Sequence, residues 1–320
     1  MTNKEIKKYI IDYYTRKYSD ADIKDECIKF YNNKIKFCKK ILQNYISEIL
    51  YKTKVNSKGD VTVYSFDDFL QNKDNVFDKF LDTRYLPENN ITGYFQLYSN
   101  YNHYYNKKGF TFKKPAFFNT DVAYSVLEKY GCTGGNYFDS SSGWGNRLLA
   151  SMKAKMNYYG VDPNYVLVDR LYKVYDEFKK YTNCNEKCII KPTGSEIYIP
   201  DYNNKMDISF TCPPYYDLED YVIGNQSYKN GKSYKQWFDD FMKPTLDNSI
   251  AYVKKDGYVC LAVKNYMQWS TKTLIPLFDD CYNYLNSKLK FIEFMDNQIG
   301  KLHRCDNRKD EKIMIFQKVQ

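Results

Sequence analysis

Histidine is almost missing from this chain: His103 and His303 are the only two in 320 residues. That excludes histidine-rich metal centres, which need several imidazoles converging on one point, and leaves triad chemistry with only these two candidate bases, so it is set aside. Cysteine is present but poorly placed. The nine cysteines are odd in number and scattered, so they do not form the disulfide framework of a secreted domain. Cys184 and Cys188 are the closest pair, with no second pair or nearby histidine to complete a zinc site. No apolar run approaches membrane-spanning length, and the charged stretch from Met1 to Tyr13 lacks a signal-peptide core. The expectation is a soluble protein with reduced thiols, in the cytoplasm or nucleus of its host and not secreted. Glycine (14) and proline (9) are sparse, so their clusters mark places where the backbone is specially shaped.

What is present is a foldable, aromatic, basic chain. Hydrophobic residues make up 43% and aromatics 18%, enough for a packed core. The formal charge of +9 permits an anionic partner. An AT-rich coding bias toward lysine, asparagine, tyrosine and isoleucine accounts for part of it. The first 60 positions hold fourteen basic against eight acidic residues, so much of the excess sits at one end.

Residues 2 to 55 read as helix, with Ile6, Ile10, Ile28, Ile35, Ile41 and Ile49 at roughly helical spacing between lysine-rich faces. These faces are either solvated or a phosphate-contacting arm. An aromatic cluster including Tyr94, Phe95, Tyr98, Tyr101, Tyr104 and Tyr105 precedes Lys107 and Lys108. From Lys114 onward strands and helices alternate, which predicts a mostly parallel sheet. Strands are expected at 136–138, 157–161, 188–191, 206–210 and 257–263, and helices at 121–129, 145–155, 165–181, 234–253 and 271–285. Pro244 is expected to kink the fourth of these helices. An antiparallel pair, 290–295 and 312–317, closes the chain. The division expected is a mainly helical basic extension over 1–100 and an α/β domain over 101–320.

Four strand ends carry chemistry. The first ends in Asp139-Ser140-Ser141-Ser142-Gly143-Trp144-Gly145, an acid followed by Gly-x-Gly opening a helix. Such a turn lets backbone approach a ligand at a helix N-terminus. It is not a P-loop, because no Gly-Lys-Ser/Thr follows it. Asp139 makes it suited to a cationic ligand; the plainer alternative is an ordinary tight turn. The second strand leads to Asp162-Pro163-Asn164, about 20 residues beyond the glycine turn, where a carboxylate accepts ribose hydroxyls. The third leads to Thr193-Gly194-Ser195-Glu196, placed to meet an adenine edge. The fourth, 206–210, runs into Thr211-Cys212-Pro213-Pro214-Tyr215-Tyr216. Paired prolines stiffen the chain past the strand end, and the tyrosines offer faces for stacking a planar ring. This loop is either a rigid nucleobase holder or a proline-rich connection capped by core tyrosines.

With these residues the chain resembles the class I S-adenosylmethionine-dependent methyltransferases that modify exocyclic amino groups of nucleic acids (adenine N6 or cytosine N4). Asp139 to Gly145 is similar to the family's Asp/Glu-x-x-x-Gly-x-Gly turn and Asp162 to its ribose-binding acid. Cys212 to Tyr215 is similar to its Asp/Asn/Ser-Pro-Pro-aromatic loop. Stretches around Asp139–Arg147 and Pro213–Tyr221, with Gln226-Ser227, resemble phage and giant-virus members. The resemblance covers roughly residues 110 to 320. It implies a Rossmann-like methyltransferase sheet, S-adenosyl-L-methionine as cofactor, and DNA as partner, with RNA open. It implies cofactor contacts at Phe117, Asn119, Asp139, Ser141, Gly143, Trp144, Gly145, Asp162, Pro163, Ser195, Glu196 and Thr211. It implies catalysis by Cys212, Pro213, Pro214 and Tyr215, with no metal. The loop's first side chain and first proline carbonyl would draw on the amine's N–H atoms, and the aromatic would stack on the base. Cys212 stands where the family has Asp, Asn or Ser, and a thiol is a weaker acceptor. Two readings stay open: a reaction driven by the carbonyl, or a degenerate nucleic-acid-binding module. A protein amide or small molecule is a third substrate class.

Overall fold

The computed structural model describes residues 1–55, 62–82, 86–100, 110–112, 115–221, 226–228, 232–268, 271–297 and 312–319. The aromatic and lysine residues at 101–108, the loop residues Gly224, Asn225, Lys229, Asn230 and Gly231, both histidines, and Lys301, Arg304 and Arg308 lie outside them.

The N-terminal part contributes α1 (Asn3–Thr15), α2 (Asp20–Tyr31), α3 (Lys40–Tyr45), α4 (Ser47–Lys52), β1 (Lys54–Val55) and β2 (Thr62–Tyr64). It continues with α5 (Phe66–Leu70), α6 (Val76–Leu81), α7 (Ile91–Asn100) and β3 (Phe110–Phe112). The sheet domain alternates α8 (Thr120–Tyr130), β4 (Asn136–Asp139), α9 (Asn146–Lys153), β5 (Asn157–Val161), α10 (Tyr165–Thr182), β6 (Cys188–Lys191) and β7 (Met206–Thr211). After β8 (Glu219–Asp220) come α11 (Tyr234–Trp237), a π-helical turn (Phe238–Met242), α12 (Lys243–Tyr252) and β9 (Val253–Val263). A hairpin, β10 (Tyr266–Gln268) and β11 (Thr273–Ile275), then α13 (Leu277–Asn286), β12 (Lys290–Asp296) and β13 (Lys312–Gln317) complete it.

Seven strands form one sheet in the order β6-β5-β4-β7-β9-β13-β12. β4, β5, β6, β7 and β9 are parallel to their neighbours among these five, while β13 runs antiparallel to both β9 and β12. This is the Rossmann-like, mostly parallel sheet with an antiparallel C-terminal hairpin expected from the sequence. Strand order reverses across β4, which lies between β5 and β7, and ligands of open α/β sheets bind at such a switch point.

Both faces of the sheet are covered; β9 ends in the continuous buried apolar run Val259–Val263, whereas β7 alternates Met206, Ile208 and Phe210 with Asp207, Ser209 and Thr211. Tyr137, Tyr158, Ile208, Phe210 and Cys260 join one core with α8, α9 and α10. Phe138, Val161, Val259 and Leu261 join a second with Trp237, Leu246 and α13. The first core also takes in Ile23, Cys27 and Phe30 of α2, Ile41 and Leu42 of α3, and Cys38 and Ile46 beside it. A third, phenylalanine-rich core holds α1, α5, α6, α7 and β3, with Phe69 and Phe112 stacked 3.7 Å apart.

Two expectations are corrected. Thr271 to Leu285 is not one helix. Pro276 biases Ile275 toward extended backbone, so Thr273–Ile275 pairs with Tyr266–Gln268 and the helix begins at Leu277. The helix from Tyr234 is not α-helical throughout: a π turn, Phe238–Met242, lies between α11 and α12, just ahead of Pro244.

Candidate active site

The glycine turn is built from beneath by a buried ion pair. Asp139, at the end of β4, is 0% exposed. Its Oδ2 accepts from Arg147 Nε and from Tyr158 Oη, both at 2.9 Å. Its Oδ1 accepts from Thr211 Oγ1 at 3.1 Å and from the Ser141 N–H at 3.2 Å. Arg147 Nη2 donates to the Ser141 carbonyl, and the guanidinium lies 5.3 Å from the Phe118 ring centre. Burial opposes the Arg147 charge, but Asp139 outweighs it and holds the guanidinium firmly protonated. The Asp139 carboxylate is therefore spent within the protein. It differs from the expectation of a carboxylate facing a cationic ligand, because four donors already surround it. Arg147, not singled out in the sequence as a site residue, shapes the turn.

The turn is also tied to β5. Ser142 N–H donates to the Val161 carbonyl at 2.9 Å, and Gly143 N–H to Asp162 Oδ2 at 3.1 Å. Gly143 and Gly145 have φ of 55° and 88°, left-handed values at which a side chain would be strained. Asp162 Oδ1 accepts from the Asn164 N–H at 3.0 Å, and Asn164 Oδ1 caps α10 by accepting from Leu167 N–H. Burial pushes the Asp162 carboxyl up to about 6, against the pull of the Asn164 and Gly143 N–H groups; Asp139 adds to the rise. Each Asp162 oxygen keeps a further lone pair. Pro163 beside it is exposed. Ser140 Oγ and Asn146 Oδ1, flanking the turn, are buried with no hydrogen-bond partner among the described residues. Two orphaned polar atoms beside a glycine turn and a half-buried acid fit a polar ligand with hydroxyls and an amino group.

The proline loop leaves β7 next to this turn. Thr211 points inward to Asp139, and Tyr137 Oη donates to the Phe210 carbonyl at 2.8 Å. Two bonds thus fix the end of β7 to β4. Pro213 is buried, while Cys212, Pro214 and Tyr215 are half-buried. The two tyrosines diverge. Tyr215 Oη accepts from the Lys264 N–H at 3.0 Å, and its ring lies 5.3 Å from Tyr266. Tyr216 is buried and donates to the Lys232 carbonyl at 2.6 Å, among Tyr228, Tyr234 and Trp237. One tyrosine lies against the Tyr266 ring, and its neighbour anchors the loop.

Beyond the loop, Glu219–Asp220 pairs antiparallel with Lys54–Val55 of the N-terminal part. This carries Tyr221 to 6.0 Å from Trp144 of the glycine turn. Burial raises the Tyr221 hydroxyl well above its usual range, Glu219 adds to it, and Cys212 and Asp162 are near enough to contribute. Tyr221 thus stands between the proline loop and the turn, a position that nothing in its local sequence signals.

Other expected residues have different occupations. Ser195 Oγ is 2.7 Å from Thr245 Oγ1, and its carbonyl accepts from Asn248 Nδ2, so its side chain packs against α12. Glu196 folds over Gly194, where a Cβ would meet its carboxylate. Asn119 Oδ1 caps α8 by accepting from Asp121 and Val122 N–H. Phe117 and Trp144 pack partly against both the first and third cores. Asp217 accepts from Gln268 Nε2 at 2.5 Å. Among the described residues no cluster of three histidine, cysteine or acidic side chains is arranged to hold a metal. No helix among them is long and apolar enough to cross a membrane.

No protein-family model matches the chain, and no curated protein sequence matches it. Solved structures with similar backbones include a TehB-like SAM-dependent methyltransferase from Corynebacterium glutamicum. It shares 12% identity and a TM-score of 0.40, over 62% of this chain and 87% of that one. The N-methyltransferase NodS from Bradyrhizobium japonicum, in complex with S-adenosyl-L-homocysteine, shares 10% identity and a TM-score of 0.42, over 63% and 85%. A methyltransferase from Pyrococcus furiosus shares 14% identity and a TM-score of 0.41, over 62% and 83%. The fold assignment rests on the strand order and directions of the sheet, not on these likenesses.

Proposed function

We propose that this chain is an S-adenosylmethionine-dependent methyltransferase acting on an exocyclic amino group of a nucleic-acid base, adenine N6 in DNA first. The observation that carries the reading is the Thr211–Asp139 hydrogen bond, which joins the Pro-Pro-Tyr loop to the Gly-x-Gly turn across the sheet's switch point. When bound, the cofactor supplies a sulfonium-activated methyl group. Asp162 accepts its ribose hydroxyls, the glycines at 143 and 145 keep side chains out of its way, and Ser140 Oγ and Asn146 Oδ1 meet its polar groups. The half-buried rings of Trp144 and Tyr221 restrict water.

An exocyclic amine is a poor nucleophile because its lone pair is delocalised into the ring. The Pro213 carbonyl accepts one N–H and Cys212 Sγ weakly meets the other, turning the lone pair out of the ring plane. Tyr215, held by Lys264 N–H, stacks on the base. Asp217 is occupied by Gln268, which leaves amine activation to the loop. RNA and cytosine N4 are the nearest substrate alternatives. The identity of Cys212 favours a second reading, a binding module without turnover.

Transfer of labelled methyl from the cofactor to DNA and RNA, with nucleoside mass spectrometry of the products, tests the proposal. N6-methyladenine in DNA is the expected product. Pro214→Ala and Tyr215→Ala should abolish transfer and spare cofactor affinity, whereas Asp162→Ala should weaken cofactor binding. Cofactor binding with no modified base in either nucleic acid would leave the binding module.

A further inference from the structure

The β10–β11 hairpin stands beside the Pro-Pro-Tyr loop and has two faces of opposite character. Tyr266 pairs with Ile275, Met267 with Leu274, and Gln268 with Thr273. Alternation along each strand puts Tyr266, Gln268 and Ile275 on one face and Met267 and Leu274 on the other. The first face is committed to the protein: Tyr266 lies against Tyr215, Gln268 donates to Asp217, and Ile275 is buried. On the second, Met267 is 38% and Leu274 is 55% exposed. Directly opposed side chains sit about 5 Å apart, so these two make one aliphatic ridge. A lone exposed apolar residue is ordinary. A matched pair on the outer face of a hairpin that grips the active-site loop is not scattered at random.

The hairpin's own charge has one sign, the neighbouring carboxylates Asp217 and Asp279 being bonded to Gln268 and Asn265. Residues 264–275 contain Lys264 and Lys272 and no acid. Neither lysine is in an ion pair among the described residues. The nearest acid along the chain, Asp279, accepts from Asn265 Nδ2 at 2.8 Å. An aliphatic ridge between free cations matches a strand that offers phosphates to the lysines and base faces to the ridge. A base drawn out of a duplex leaves an unstacked step, and apolar side chains fill such steps.

We infer that Met267 and Leu274 form a wedge that enters duplex nucleic acid and fills the gap left when the target base moves to Tyr215. This rests on the base-modification reading above. The test uses the full-length protein and labelled S-adenosylmethionine on a kilobase-length AT-rich duplex and on the same DNA after heat denaturation. The Met267→Ser, Leu274→Ser double variant should lose about tenfold or more in kcat/KM on the duplex. On the denatured strands it should stay within about twofold of wild type. The aliphatic swap Met267→Leu, Leu274→Met should retain duplex activity. An equal fall on both substrates, or no fall on the duplex, overturns the wedge. So does a change in self-association by sedimentation with duplex activity intact, which would assign the ridge to a second copy of the chain. A wild-type protein that methylates neither DNA nor RNA overturns the base-modification reading itself, and the wedge with it.

Discussion

Replacing Arg147 with alanine leaves Asp139 as a carboxylate without a countercharge in a site closed to water. Removing one partner of a buried pair typically costs about 3–5 kcal/mol. Urea denaturation of Arg147→Ala should show a loss of that size, while Arg147→Met combined with Asp139→Asn should recover a large part of it. Asp139 was legible in the sequence as the acid of the turn, because an acid before Gly-x-Gly at a strand end is a local pattern. Its partner was not. An arginine on the first turn of a helix reads the same whether it reaches solvent or folds under the loop. Asp162 gives a second residue-scale prediction. Its folded carboxyl holds a proton up to a pH of about 6, against an ordinary value of 3.8. Between those values the folded state binds the extra proton, so this group's contribution to stability falls as pH rises from about 4 to about 6 and is level above. Cofactor affinity runs the other way, because the ionised carboxylate is the better hydroxyl acceptor. Calorimetric titration across pH 5 to 8 should show affinity rising through about 6 in the wild type and flat in Asp162→Asn.

At the scale of elements, the parallel strands were legible because they are short apolar runs separated by helical periodicity. What was not legible depended on competition between neighbours. Residues 271–285 have a helical composition at their centre, yet Pro276 divides them, and Thr273–Ile275 finds a partner strand in Tyr266–Gln268. The closing strands were legible as an antiparallel pair, but not the insertion of β13 between β12 and β9, since periodicity contains no information about the third strand. The adjacent tyrosines of the proline loop show the same limit. Tyr215 and Tyr216 are chemically identical, and only their surroundings leave one half-buried against Tyr266 and bury the other among Tyr228, Tyr234 and Trp237.

At the scale of the molecule, the N-terminal hundred residues are not of one kind. α2 and α3 contribute five buried side chains, with Cys38 and Ile46 beside them, to the core beneath the sheet, whereas α1 and α5–α7 close around their own phenylalanines. Deleting residues 1–46 should therefore expose one whole face of α8–α10. The expected result is loss of a cooperative unfolding transition by circular dichroism, with gain of hydrophobic-dye binding. A truncated protein that still unfolds cooperatively would mean that the sheet does not need this cover. The hydrophobic pattern of α2 and α3 signalled helices but could not say which core they entered. That choice also sets a timetable for the nascent chain. Phe30 of α2 packs on Phe178 of α10 at 6.3 Å between ring centres, yet the two are 148 positions apart. At synthesis rates of roughly 5–20 residues per second, the apolar face of α2 leaves the ribosome about 7–30 s before its partner helix exists.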